Sequence, residues 1–287
     1  MKNAKFVTVN GIKTRYFEGG SGETLVLISG GSFGSYYSAD HWSLNFDDLC
    51  ERFHVYAFDK LGMGFTDNPK SDAEYTMSAV IDHTYGFIHA MGIGSATVVG
   101  HSRGALPAAR MAVDYPDMIK ALIILPSSTL PADDPSTPSD FYKKIDMAVP
   151  PVPDQKYVRW EPEANSYSKD HITDDFVEAM LKIALLPKTM EAKKTMANVS
   201  DTVFLPDARK KKYETLDLIK AGRLKAPTLL VWGLNDPSAP VKLSLDLVRL
   251  IGSVVDRTRL HLINHAGHYV FREHPRELHR LIIDFVK

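Results

Sequence analysis

The run Ala96-Thr-Val-Val99, then Gly100-His101-Ser102-Arg103-Gly104, then Ala105-Leu-Pro-Ala-Ala-Arg-Met-Ala-Val113 decides the fold. The first four residues are an apolar stretch of strand rather than helix length. The last nine read as a helix, with Pro107 tolerated because it falls in the first turn. Between them lies G-x-S-x-G. A strand that turns sharply into a helix lifts the central side chain clear of the sheet, and glycines are needed where side chains would strike neighbouring backbone. Ser102 is therefore a candidate nucleophile. The plainer reading is a glycine-rich connection without chemistry.

The same alternation continues on either side. Phe6–Val9 and Ile12–Tyr16 flank Asn10-Gly11, a dipeptide that favours a two-residue hairpin turn. Thr24–Ile28, His54–Phe58, Ala121–Leu125, Thr228–Trp232 and Arg259–Ile263 are further strand-length apolar runs. Helices are expected over Tyr75–Met91, Ala105–Tyr115, Val241–Ile251 and Pro275–Val286. Continuous apolar strands alternating with helices predict an α/β protein with a mostly parallel eight-stranded sheet and helices on both faces. Between Pro126 and Arg223 the rhythm stops. Pro131, Pro135, Pro138, Pro150, Pro151 and Pro153 precede amphipathic stretches such as Asp174–Leu186. The expected organisation is a core of residues 1–126 and 223–287 with a helical cap, 127–222, inserted over it.

Composition bounds the remaining choices. Lys and Arg total 34 against 35 Asp and Glu, a formal net charge of -1 over 287 residues, without the basic surplus of a nucleic-acid binder. One cysteine, Cys50, excludes an intrachain disulfide and any CxxC site. The opening residues lack the apolar run of a secretory signal, and no apolar stretch approaches the roughly 20 residues of a membrane helix. A cytoplasmic protein that contacts neither nucleic acid nor membrane is the expectation.

A serine hydroxyl at neutral pH needs a base, itself held by a carboxylate. Both belong on loops after later strands, in chain order serine, acid, histidine. Trp232-Gly-Leu-Asn-Asp236-Pro places Asp236 at a strand end, though Asp-Pro alone also forms turns. Asn264-His265-Ala-Gly-His268 follows the last strand, and His265 reads equally well as a buried polar group. A second G-x-S-x-G, Gly30-Gly31-Ser32-Phe33-Gly34, follows a strand but shows no immediate helix start. The histidines lack HExxH spacing, so no metal and no cofactor is expected.

Taken together, these motifs resemble the α/β-hydrolase family across essentially the whole chain. They are Ser29-Gly30-Gly31-Ser32, Asp59-Lys-Leu-Gly62-Met-Gly64-Phe-Thr-Asp67, Gly100–Gly104, Gly233-Leu-Asn-Asp236 and Gly267-His268-Tyr-Val-Phe-Arg-Glu273-His-Pro275. The resemblance implies a Ser102–Asp236–His268 triad, with the last motif selecting His268 over His265. It implies that residues 30–34 are the oxyanion loop, with backbone amides of Ser32, Phe33 and Arg103 as donors. It also implies that Gly31, Arg103 and Tyr269 meet the substrate. A serine at position 102 separates the chain from the haloalkane dehalogenase and epoxide hydrolase branches, which carry aspartate there.

Within the family the chain is most similar to hydrolases of ring meta-cleavage products and to their relatives that hydrolyse monoalkyl phthalates. The carbon–carbon hydrolases usually carry tryptophan after the catalytic histidine, where this chain has Tyr269. Trp42 and Asn45 match their W-x-x-N loosely, and Arg103 replaces a more frequent methionine. These departures favour a serine esterase acting on monoesters of aromatic dicarboxylic acids. The alternatives are carbon–carbon hydrolysis of 2-hydroxy-6-oxo-dienoates and a non-catalytic ligand receptor.

Arg103 bears on whether the substrate carries a free carboxylate, as a monoester does and its diester does not. A guanidinium at a helix N-terminus gains nothing from a dipole that favours anions there. It reads either as a solvated or ion-paired surface cation or as an anchor for a substrate carboxylate through charge-assisted hydrogen bonds. The expected partner is a small ester with a free carboxylate, and a homodimer is left open.

Overall fold

β1 (Lys5–Val9), β2 (Ile12–Gly19), β3 (Glu23–Ile28), β4 (Phe53–Phe58), β5 (Ala96–Gly100), β6 (Ile119–Ile124), β7 (Thr228–Gly233) and β8 (Thr258–Ile263) form one sheet. Their spatial order is β1-β2-β4-β3-β5-β6-β7-β8. The two pairings made by β2 are antiparallel and all others are parallel, so every strand anticipated from the sequence is present. The computed structural model describes residues 1–134, 141, 150 and 152–287; Pro135, Pro138 and Pro151 of the proline-rich stretch lie outside the described residues.

The alternation of side chains along each strand separates two apolar layers. Val26, Ile28, Val98, Leu122, Leu230 and Trp232 face one layer, which is closed by α2 (Met77–Ala90), α3 (Ala105–Asp114) and α8 (Val241–Gly252). Leu25, Leu27, Val99, Ile123, Leu229 and Val231 face the other, covered by α1 (Phe46–Cys50), α9 (Val270–Glu273) and α10 (Pro275–Val286). Leu27 and Ile28 are fully buried on opposite faces, and truncating either to alanine should cost about 2–5 kcal/mol. The expected Tyr75–Met91 helix begins two residues late because Thr76 caps it, its side chain accepting from the Ala79 amide.

Between β6 and β7 lie α4 (Gln155–Ala164), α5 (Asp174–Ala184), α6 (Pro187–Val199), a π-helical turn (Ser200–Phe204) and α7 (Leu205–Lys220). These helices contact loops that leave the C-terminal ends of the strands. Asn68 donates to Lys188 O after β4, Lys188 donates to Gly64 O, and the His268 amide after β8 donates to Asn165 O. The insertion therefore sits over the edge where α/β folds place their ligands. Among the described residues, no helix is long and apolar enough to cross a membrane.

Candidate active site

Ser102 takes φ +52°, a left-handed conformation that non-glycine residues seldom adopt. The sharp bend follows from packing on both sides. A Cβ at Gly100 would lie 2.6 Å from Gly104 O, and one at Gly104 would lie 2.5 Å from Ile28 O. The Ser102 amide donates to Pro126 O, and Ser127 Oγ donates to Ser102 O, so the strained residue is held from the neighbouring strand's exit. This is a strand–turn–helix elbow with a partly exposed serine at its apex.

Asp236 and His268 arrive from the ends of β7 and β8. His268 Nδ1 is 2.8 Å from Asp236 Oδ2, and both side chains are buried. The other carboxylate oxygen accepts from Ser238 N, Ser238 Oγ and Ala239 N, which fixes its plane. An ionised acid facing Nδ1 requires the proton there, so Nε2 presents the lone pair. That Nε2 is buried and makes no hydrogen bond, which leaves its lone pair able to take a proton. Burial opposes charging of His268, but Asp236, then Glu161 and Glu273, outweigh it and raise its pKa above the ordinary imidazole value. His265 is exposed at φ +53° and stacks on Tyr167, with ring centroids 4.8 Å apart. It is not the buried polar group considered from the sequence, and it lies outside the triad.

Ser102 opens into a cavity of about 420 Å³. Gly31, Ser32, Phe33 and Arg103 all line it, which brings the expected oxyanion residues to the nucleophile. Lys60 Nζ donates to Gly31 O at 3.2 Å. In a trans peptide the carbonyl and the next N–H point in opposite directions, so this bond turns the Ser32 N–H away from Lys60. Burial, with repulsion from Arg103, pulls the Lys60 ammonium down to about 7.

Tyr269, expected beside the substrate, is fully buried behind the cavity wall. Its hydroxyl donates to Glu161 at 2.6 Å and touches Tyr37 OH, and it is Glu161 and Tyr37 that line the cavity. Trp42 and Asn45 brace the segment after the base: Trp42 packs on Phe271 and Asn45 Nδ2 donates to Phe271 O. Sequence reading missed Tyr37, Lys60, Glu161 and His101. Only His101 carried a local signal, being adjacent to the nucleophile; its ring lies 4.7 Å from that of His268 and donates to His268 O.

Residues 23–275 match the model of a family described as the alpha/beta hydrolase fold. The chain belongs to the α/β-hydrolase family. It is 28% identical over 286 residues to a 2-hydroxy-6-oxo-6-(2'-aminophenyl)hexa-2,4-dienoic acid hydrolase of Metapseudomonas resinovorans, covering 98% of this chain and 90% of that one. It is 26% identical to a 2-hydroxymuconate semialdehyde hydrolase of Pseudomonas sp. strain CF600, covering 96% and 91%. A solved meta-cleavage product hydrolase from Pseudomonas fluorescens IP01 superimposes with a TM-score of 0.77 at 24% identity, covering 98% and 96%. This α/β hydrolase is an enzyme of the serine hydrolase type, with relatives that act in aromatic compound degradation.

Proposed function

We propose that the enzyme hydrolyses a carbon–carbon bond beside a ketone in a small, carboxylate-bearing oxo-dienoate. The observation that carries this reading is the character of the cavity wall. Arg103, Lys193, Ser128, Thr129, Glu161 and Tyr37 line it beside Phe33, Tyr36 and Tyr157, a mixed wall that offers charged and polar partners to carboxylate and keto oxygens and aromatic faces to a conjugated chain. The ring-cleavage hydrolases among its relatives support the same class.

The chemistry follows from the triad. His268 Nε2 takes the Ser102 proton as Oγ adds to the ketone carbon, and backbone amides near Ser32 and Arg103 receive the oxyanion. The substrate reacts as its keto tautomer, the 2-hydroxyl proton having moved to the carbon beside the ketone, so collapse breaks the carbon–carbon bond with its electron pair delocalised as a dienolate. The dienolate oxygen takes the proton from His268, and an acyl-serine remains. Water, deprotonated by His268, releases the acid. Arg103 receives the substrate carboxylate in this scheme.

Monoalkyl phthalate hydrolysis is the second reading, favoured by one feature. Tyr269 spends its hydroxyl on Glu161 and Tyr37, away from the substrate position. Both readings share the carboxylate on Arg103 and differ in the leaving group. Parallel kcat/KM measurements with 2-hydroxy-6-oxo-6-phenylhexa-2,4-dienoate and monobutyl phthalate test them. Turnover of the dienoate at least about 100-fold faster is expected, and the reverse order would transfer the assignment to the ester.

A further inference from the structure

Glu161 is an acid the triad does not need, yet it is buried in the cavity that holds Ser102. It stands on α4, in the insertion, while most of its partners stand on the core. Oε2 accepts from Tyr37 OH at 2.7 Å and from Tyr269 OH at 2.6 Å, and Oε1 accepts from Asn165 Nδ2 at 2.8 Å. Tyr269 is the residue after the catalytic base. Asn165, at the end of the same helix, uses its backbone oxygen to accept the His268 amide at 2.8 Å. One helix therefore grips the base residue by its backbone and its neighbour by the side chain.

We propose that Glu161 is a positioning residue for the catalytic base, acting from the cap through Tyr269 and Asn165, so that cap and core together assemble a working His268.

The charged and titratable surroundings fit this role. Asp236 faces His268 from the loop after β7, Glu273 from the helix that follows the base, and Glu161 from the cap. The nearest basic neighbour is His101, whose ring burial keeps neutral. Arg103 and Lys193 share the cavity with Glu161. The imidazolium that forms during proton transfer thus meets negative charge on the cap side as well as on the Asp236 side. Direct attraction lifts the His268 pKa, and Glu161 contributes after Asp236. Charge and alignment come from the same side chain, so a variant that keeps the shape and removes the charge separates them.

The probe is p-nitrophenyl acetate, which needs only the serine, the base and the oxyanion donors. It makes this test independent of the carbon–carbon assignment, whose failure would show instead in the dienoate assay. In the full-length protein, Glu161→Gln should lower plateau kcat about tenfold. It should also move the acid limb of kcat/KM to lower pH by about half a unit or more, because a less stabilised imidazolium loses its proton earlier. The His268 imidazole signal, titrated by NMR in the Ser102→Ala background, should move in the same direction. Glu161→Asp keeps the charge and should keep the limb near its native position even where the rate falls. A rate loss in the folded Gln variant with an unmoved limb, or an Asp variant whose limb follows that of Gln, would overturn the proposal.

Discussion

Residues 30–34 and 100–104 spell the same glycine–serine–glycine pattern, and both follow a central strand of the sheet. Ser102 sits at φ +52° on an elbow that runs straight into a ten-residue helix, with its hydroxyl raised over the cavity. In the other segment the left-handed positions fall on Gly31 and Gly34, and Ser32 keeps an ordinary backbone. Its hydroxyl is buried without a partner, while its amide reaches Ser35 Oγ at 3.3 Å. One segment thus raises its serine over the cavity, and the other folds its serine into its own turn, with the amide held by Ser35. The pattern does not decide which serine is raised on an elbow; the turn geometry does.

The largest effect should come from Ser102→Ala, which removes the covalent step and should lower kcat by about 10⁴-fold or more. The burst of p-nitrophenol should vanish with it. Next, Asp236→Asn keeps the shape but supports the wrong imidazole tautomer, with an expected loss of about 10⁴ in kcat. His265→Ala, in the exposed position, should leave kcat within about threefold of native. Comparable losses at His265 and His268 in folded proteins would remove the basis for choosing the base.

Arg103→Met should reduce kcat/KM for a carboxylate-bearing substrate by about 30-fold while barely changing a neutral ester. A uniform drop across both substrates would mean that Arg103 only supports the turn. Lys60→Met loosens the Gly31–Ser32 peptide and should lower kcat about tenfold with little change in KM. It should also stabilise the fold at pH 6. The buried ammonium, at about 7, sits below its ordinary value near 10.5, so the unfolded chain binds the extra proton between those values. Native stability from this group therefore rises with pH across that window and is lowest below it, and the variant should gain roughly 2 kcal/mol or more there by thermal unfolding. Ser32→Ala, the smallest change, should leave kcat within about threefold, since its amide survives truncation.

The strands and the meeting of Asp236 with His268 were legible because local patterning carries them. Apolar runs such as Val98-Val99 need no distant partner to be read as strand, and each triad member marks the end of one. Glu161 was not legible. The α4 sequence Gln-Lys-Tyr-Val-Arg-Trp-Glu-Pro-Glu-Ala looks like a solvated helix, and only docking onto Tyr37 and Tyr269 buries its carboxylate. Lys60 was hidden for the same reason, since a lysine after a strand is ordinarily exposed and here packing on the oxyanion loop encloses it. Tyr269 follows the base in sequence, which suggests contact with substrate, but its hydroxyl is bound to Glu161 and Tyr37 and the ring is fully buried. Short-range signals define where the chain bends; they do not report which distant carboxylate a phenol will find.

The way the insertion is fastened also bears on how such enzymes can be recombined. Besides the Asn165 carbonyl on His268, Glu273 accepts from the Tyr167 and Ser168 amides, and Arg272 bridges His41 O to His171 O. On the insertion side these seams fall within residues 165–171 and on the other side within residues 268–273, with Arg272 also reaching back to His41. A chimera that grafts a foreign lid at residues 127–222 would exchange one half of each seam and strand backbone donors in the interior. A graft that retains 161–171 and replaces the later helices would leave these matched and would have to rebuild the Lys188 bonds to Asn68 and Gly64 and the Asp207 bonds to Ser78. Substrate range in this scaffold is therefore best exchanged through the second half of the insertion, with the first half inherited together with the histidine loop it was built against.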